Sequence, residues 1–424
     1  MTLSDIQQTY SHNTPIKSLQ KSVSDDTIKT IYCSGLVASA APFYLSSLIR
    51  GAKKHLLFIL NDNDEAGYFY HDLCQILGDE KVLFFPSSYR RAIKYGQKDP
   101  ANEILRTEVL SRLNKESDVV CVVTYPDAIA EKVVSLSDLK GKTLQLFKGE
   151  QVELSKVTNR LHELGFQYTD YVYEPGQYAV RGGLIDVFSF ASEFPFRIDF
   201  FGDEIDSIRQ FEVETQLSKG LLEKVSIIPN LSSAGGKYVS LLHFFPENSV
   251  VVAKDYFWVH DRIDHLAEET LVSQAVIAKA EEEQDNIIAP ILLEQGEWAR
   301  ELLSFKQIEF GAKSSKKSDD VVISFDTTPQ AIFHKNFDLV SQSLKEYLAK
   351  GYQIYICSDS VKQTDRIKAI FEDREDNINF TAVSKTLHEG FIDNTQKVCF
   401  YTDHQIFDRY HKYNLKSDKV KSGK

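Results

Sequence analysis

The chain has 424 residues, 42% of them hydrophobic and 26% charged, with a formal net charge of -12 at neutral pH. That length exceeds a single compact core and suggests about three domains. The acidic balance argues against a general nucleic-acid binder, which needs surplus Lys and Arg to neutralise phosphates. The cysteines Cys33, Cys74, Cys121, Cys357 and Cys399 form no CxxC pair. Four fall in apolar, strand-like segments and Cys74 in a helix-like one, so buried free thiols are expected rather than a metal or redox role. The opening MTLSDIQQTY has no charged region followed by an apolar core, and no apolar run reaches the length of a membrane span. A cytoplasmic protein with no membrane partner is the expectation.

Taken in order, residues 1–135 read as alternating strand and helix. Strands are predicted at 30–33, 55–60, 82–85 and 119–124, and helices at 40–50, 61–76 and 101–113. The second helix starts on Asn61-Asp62-Asn63-Asp64, a run rich in capping side chains. Strands separated by helices of this length imply a parallel, twisted sheet. In such a sheet the turn after the first strand is where nucleotide phosphates would sit. Here it reads Cys33-Ser34-Gly35-Leu36-Val37-Ala38-Ser39-Ala40-Ala41-Pro42. A phosphate loop needs glycines for close backbone approach, a Lys for the phosphates and a Ser or Thr for magnesium. Gly35 alone answers that description, no Lys follows, and Pro42 removes a backbone donor. The turn at Gly35 is a degenerate phosphate loop, and no cofactor is expected there.

From about residue 136 the texture changes. A strand is predicted at 140–148 and an amphipathic helix at 153–164, followed by the densest β signal in the chain, residues 174–218. Its apolar runs are punctuated by Pro175-Gly176, Gly182-Gly183 and Gly202-Asp203, each a turn or bulge signal. Alternation at period two puts Phe196, Ile198 and Phe200 on one face and Arg197, Asp199 and Phe201 on the other. A core needs the first three. The second face carries an aromatic ring among charges, which the fold does not require. Arg181 and Arg197 stand out as positive points on a mildly acidic module, and Asp186, inside an apolar strand, reads as a buried, hydrogen-bonded carboxylate. Taken alone, Arg197 could simply pair with Asp199 or with the strand that starts at Glu204, and Phe201 could pack on a neighbouring domain.

After residue 232 the α/β pattern returns, with a helix at 239–245, a strand at 249–253 and a long helix at 260–279. The acidic run 279–285 (KAEEEQD) reads as a solvated face, and 311–320 (GAKSSKKSDD) as an exposed loop. The last part alternates again: helix 337–349, strand 352–357, helix 360–371 and strand 397–402. The tail LKSDKVKSGK is polar and expected to fray. His260, Asp261, Asp264 and His265 share a helix but lack a third ligand, and Tyr410, His411 and Tyr413 have no evident partners. No metal site and no catalytic group is expected.

The central stretch resembles the bacterial transcription-repair coupling factors (the Mfd family). The resemblance lies in residues 174–188 (EPGQYAVRGGLIDVF), 192–195 (SEFP) and 197–211 (RIDFFGDEIDSIRQF). The same pattern marks the damage-recognition subunit UvrB. Lesser similarity includes Tyr125-Pro126-Asp127 and His388-Glu389-Gly390-Phe391. Two departures separate the chain from UvrB: the turn at Gly35 lacks the ATP-binding Lys, and residues 86–103 are too short and too poor in aromatics for the damage-probing hairpin. Both fit the N-terminal part of the coupling factors.

The resemblance implies an α/β protein. A vestigial helicase-like parallel-sheet domain would come in two pieces (1–135 and 231–318), with a β-rich α+β module inserted (136–230). A small doubly wound α/β domain (319–424) would follow. It implies that the inserted module binds UvrA through Arg181, Arg197 and Phe201, with Arg209 and Glu204 at the rim. In the family this surface is masked by a C-terminal domain until the motor engages DNA. RNA polymerase and duplex DNA would be contacted by regions absent from this chain, which is expected to be the N-terminal part of a longer protein. No GxGKT-type loop and no DExx-type box occurs in the 424 residues, so ATP and magnesium are expected only in the missing motor domains. The implied role is non-catalytic recruitment of UvrA to RNA polymerase stalled at DNA damage. The alternative is an ATP-dependent helicase-like enzyme, or a DNA-binding module, active within the segment itself.

Overall fold

Segments apolar on both faces cannot lie against water, and the chain buries several of them side by side as a parallel sheet. In the computed structural model, which describes residues 1–89, 98–115, 119–231, 236–282 and 291–415, this sheet has seven strands. Their order is Val321–Ser324, Thr30–Ser34, Lys306–Phe310, Val250–Lys254, Leu56–Ile59, Cys121–Thr124 and Val82–Phe84, every pair parallel. Leu56–Ile59 and Cys121–Thr124 are buried at every position. Residues 30–124 and 250–324 thus build one sheet from two lengths of chain. The sheet continues past residue 318, because Val321–Ser324 pairs directly with Thr30–Ser34.

The helix after Leu56–Ile59 runs Asn63–Leu77 and is capped by Asp62, whose side chain accepts from the Glu65 amide. Several local expectations need correcting. The helix expected at 40–50 is two short ones, Ala40–Leu45 and Leu48–Ala52, broken at Ser46-Ser47, where Gln7 bonds both the Phe43 carbonyl and the Ser46 hydroxyl. The strand expected at 140–148 begins as helix Leu136–Lys142, because Ser135 caps it by accepting from the Asp138 amide; only Leu144–Phe147 is strand. Of residues 239–245, Val239 ends the short strand Tyr238–Val239 and Leu241–Phe244 form a single 3-10 turn, with Pro246 two residues on. Two N-terminal helices, Leu3–Thr9 and Thr14–Ser24, were not foreseen. Of the sequence readings, parts of 86–103 and 279–285 and nearly all of the tail (90–97, 283–285 and 416–424) lie outside the described residues. All five cysteines are free, and four are buried as expected. Burial pushes the Cys33 and Cys399 thiols up to about 12.

Between the two lengths that build the large sheet, the chain forms a second one with the order Ser218–Leu222, Glu204–Phe211, Phe196–Phe201, Leu184–Val187, Gln177–Arg181, Gln167–Tyr168. It is antiparallel except for the last pair. Helix Leu154–Glu163 packs Val157 and Leu161 against Ile185, Val187, Phe196, Ile198, Ile205 and Ile208. Each such side chain contributes about 1.5–3 kcal/mol when fully buried. The helix therefore commits one face of the sheet to the core, and the opposite face is available for other work.

The last unit is a five-stranded mixed sheet, ordered Thr327–Pro329, Phe391–Asp393, Val398–Thr402, Gln353–Cys357, Thr381–Val383. Its own helices, Phe337–Ala349 and Val361–Asp373, cover one face with Val340, Leu344, Ile367 and Phe371. The other face, with Tyr355, Cys357, Phe391 and Phe400, joins the core of the seven-stranded unit. There the Phe43 ring lies 4.9 Å from Phe400 and 5.8 Å from Phe391. The second helical layer is thus supplied by helix Ala40–Leu45, just beyond the turn at Gly35.

Candidate interaction face

The open face of the six-stranded sheet is organised by a carboxylate. Gly182, at a φ of 59°, turns the chain so that Gln177–Arg181 and Leu184–Val187 pair as a hairpin. Ile185 and Val187 point to the core, so alternation sends Asp186 to the opposite face, directly across from Arg197 on the next strand. Asp186 is only 2% exposed. A carboxylate buried to that degree needs charged hydrogen-bond partners. Arg197 supplies two, Nε to Oδ1 at 2.8 Å and a terminal nitrogen to Oδ2 at 3.0 Å, the bidentate geometry peculiar to guanidinium. Arg181 supplies a third, to Oδ2 at 2.5 Å. The bond to Asp186 also holds the Arg197 guanidinium above its ordinary pKa.

Each arginine is braced again. Arg197 donates to Gln216 Oε1 at 2.8 Å and lies 4.3 Å above the centre of the Phe211 ring. Arg181 donates to the Asp170 carbonyl at 3.1 Å and stands 5.1 Å over the half-exposed ring of Tyr171. Arg209 sits opposite Arg197 in the register, a like-charge pair that would be unfavourable by itself. It is balanced by Asp199, which accepts from Arg209 at 2.5 Å and from Ser207 at 3.1 Å. The result is a preset grid of three arginines and two aspartates with one net positive charge. The isolated reading that paired Arg197 with Asp199 or the Glu204 strand is corrected. Its partner is Asp186, because the register on the other edge brings that carboxylate opposite.

Phe201 ends the Phe196–Phe201 strand and pairs with Glu204 across the Gly202-Asp203 turn. It is 80% exposed and does not pack on a neighbouring domain. The ladder slips between Asp199 and Phe200, so Asp206 has no opposite residue and the tip twists locally. The tip is nonetheless tied down: Gly149 donates to the Ile205 carbonyl at 2.7 Å, Ile205 to Glu150 at 3.0 Å, and Val152 to Asp203 at 2.8 Å. Four residues along one strand separate Phe201 from Arg197 by about 13 Å. The structure therefore joins Arg181 and Arg197 through one carboxylate, sets Arg209 beside them, and holds Phe201 and Glu204 at a fixed distance on the hairpin tip.

At the degenerate phosphate loop, Gly35 has φ +79° and packs so tightly that a Cβ there would lie 1.8 Å from the Phe325 carbonyl oxygen. Two backbone donors of this turn are engaged by the chain itself. Val37 donates to Thr327 Oγ1 at 3.1 Å, and Ser39 donates to the Glu389 carbonyl at 3.1 Å. The Ser39 hydroxyl donates to Asp72 at 2.7 Å and accepts from the Glu389 amide at 3.0 Å, and the His388 amide donates to Asp72 at 2.8 Å. Burial pushes the Asp72 carboxyl up to about 7.

Sequence reasoning missed one cluster. Among the described residues, His388, His404 and His411 are the group of three potential metal ligands that converge. Their separation along the chain follows no ligand spacing, so nothing in the sequence marks them. His265 instead pairs with Glu269 at 3.2 Å, and His260 stacks on Tyr256.

Residues 144–232 match the family model of the UvrB interaction domain. The chain is 30% identical over 203 residues to the transcription-repair-coupling factor of Bacillus subtilis and 28% identical over 222 residues to that of Escherichia coli. It is 30% identical over 154 residues to that of Haemophilus influenzae. These alignments cover 48%, 52% and 36% of this chain but 17%, 18% and 13% of the relatives. The chain thus spans less than a fifth of the length of these curated relatives. It resembles a part of a transcription-repair-coupling factor that carries a UvrB-type interaction module. Among the described residues, no helix is long and apolar enough to cross a membrane.

Proposed function

We propose that this chain is the UvrA-recruiting part of a transcription-repair-coupling factor, acting by binding rather than by catalysis. One observation carries the reading. The segment that matches the UvrB interaction domain presents, on its open face, two arginines preset by a shared buried carboxylate and a fixed, exposed aromatic ring. Arginine and aromatic side chains dominate interface energetics, and guanidiniums already locked in place lose little freedom on binding. Arg181, Arg197 and Phe201 form the contact, with Arg209 and Glu204 at its rim. In the longer protein the motor displaces stalled RNA polymerase on duplex DNA, and a C-terminal domain masks the face until then. On that face Phe201 is 80% exposed. Against the helicase-like alternative stands the turn at Gly35, which lacks a Lys and two of whose amides, on Val37 and Ser39, are engaged by residues 327 and 389.

Titration of purified UvrA onto the wild-type chain and onto the Arg181→Ala/Arg197→Ala/Phe201→Ala variant tests the proposal. Saturable binding that the triple variant loses, while its circular dichroism and unfolding midpoint show that it is still folded, supports it. Unchanged affinity removes the site, and saturable ATP binding by the isolated chain overturns the non-catalytic reading.

A further inference from the structure

We propose that His388, His404 and His411 bind a divalent transition-metal cation of the zinc class, which fastens the last unit and residues 408–415 to helix Asn63–Leu77. His388 lies in the turn before Phe391–Asp393. His404 lies in the first turn of helix Asp403–Ile406, directly after Val398–Thr402, and His411 in the segment that follows. One ring nitrogen of each lies within 4.8 Å of one from each of the others. Nδ1 of His388 and Nδ1 of His411 are 3.0 Å apart. A tetrahedral zinc with Zn–N bonds of about 2.0–2.1 Å sets two ligand nitrogens roughly 3.3 Å apart, close to the spacing of that hydrogen-bonded pair, whose rings must turn from each other toward a common ion. The His404 and His411 rings stack at 4.3 Å and 13°, and one of them must rotate out of the stack for both lone pairs to meet one ion. An all-imidazole donor set suits zinc, copper or nickel and not magnesium or calcium.

The surroundings resemble an outer shell that orients ligands. His388 Nε2 faces Glu389 Oε1 at 3.4 Å, and His404 Nε2 bonds the His388 carbonyl at 2.6 Å. The Tyr68 ring stacks on His388 at 3.6 Å. A second, independent observation points to a missing partner. His71, on helix Asn63–Leu77, has its ring centre 4.7 Å from that of His411, and its buried Nε2 has no hydrogen-bond partner. We assign His71 as the candidate fourth ligand.

Residues 408–415 are already laid along this helix. Tyr68 donates to the His411 carbonyl at 2.9 Å, Tyr413 donates to Asp64 at 3.1 Å, and the Tyr413 ring occupies the space a Cβ on Gly67 would need. A cation that also takes His71 ties together segments more than three hundred residues apart in sequence, a closure that stabilises the folded arrangement over the open chain.

The test uses the full chain, free of any polyhistidine tag and stripped of metal, titrated with zinc and with cobalt and followed by calorimetry and visible absorption. Binding of one equivalent at micromolar affinity or tighter, with cobalt absorption typical of nitrogen coordination, is expected. His388→Gln and His411→Gln should each weaken binding by at least about tenfold, whereas His265→Gln should leave it unchanged. No saturable binding overturns the proposal, as does affinity retained in both variants. If circular dichroism shows that either variant has unfolded, the cobalt spectrum and stoichiometry of the unaltered chain decide.

Discussion

Phe201→Ala separates recognition from folding. The ring is 80% exposed, so about a fifth of its surface touches the chain. Full burial of a phenylalanine is worth about 1.5–3 kcal/mol, which scales to roughly 0.3–0.6 kcal/mol for that fifth. The backbone bonds that hold the hairpin tip, from Gly149, Ile205 and Val152, do not involve the side chain. In a partner's pocket the same ring is worth about 2 kcal/mol or more on truncation, close to thirtyfold in Kd at about 1.4 kcal/mol per decade. The arginines offer no such separation. Arg197→Ala removes both bonds of a bidentate pair and leaves Asp186, 2% exposed, to Arg181 alone. Stranding part of a buried carboxylate costs about 1–3 kcal/mol of folding, so lost binding in that variant would be ambiguous. The assay is UvrA titration onto immobilised chain, run beside urea unfolding of wild type and variant. An unchanged unfolding midpoint with affinity within about threefold of wild type would falsify the role given to Phe201.

Asp186→Asn removes the charged acceptor shared by Arg181 and Arg197. Urea unfolding should show a loss of about 1–3 kcal/mol, and UvrA affinity should fall although no contact residue has changed. Gly35→Ala combines a φ of +79° with a Cβ placed 1.8 Å from a carbonyl oxygen. It should cost at least about 2 kcal/mol, read as a lower melting temperature or loss of soluble protein. Gly67→Ala gains about 1 kcal/mol of helix propensity but displaces the Tyr413 ring. Limited proteolysis within 408–415 should accelerate without a drop in melting temperature. Equal cleavage rates would show that the segment does not rely on that contact.

Much of the architecture is legible in the sequence because it rests on short-range pattern. Two-sided apolar runs such as 56–59 and 121–124 announce buried parallel strands, and Asp62 announces a helix start. The alternation of Phe196 through Phe201 announces which side chains leave the core. That no Lys follows Gly35 is legible for the same reason, since it depends on residue types at adjacent positions. Local signals mislead where two of them compete, as at 136–148, where a Ser135 cap converts the start of an expected strand into helix.

The open face shows the division at single residues. The sequence alone identifies Arg197 and Phe201 as charge and aromatic on a face with no core duty, and Asp186 as a carboxylate that must find partners. Which partners it finds depends on strand order and register, and a slip of one residue would send Asp186 to the core and Arg197 to a different neighbour. Pairings set by such long-range registers bring Arg181, Asp186 and Arg197 into one network and balance Arg209 on Asp199. They also bring residues 327 and 389 onto the turn at Gly35 and gather His71, His388, His404 and His411, none of them near another in the sequence except the last two. The chain's composition and periodicity determine which segments are strands, helices and exposed chemistry. Only the folded sheets decide which of those chemistries meet, because contact across a sheet or between units is governed by hydrogen-bond register and packing rather than by any property of the residues' neighbours in sequence.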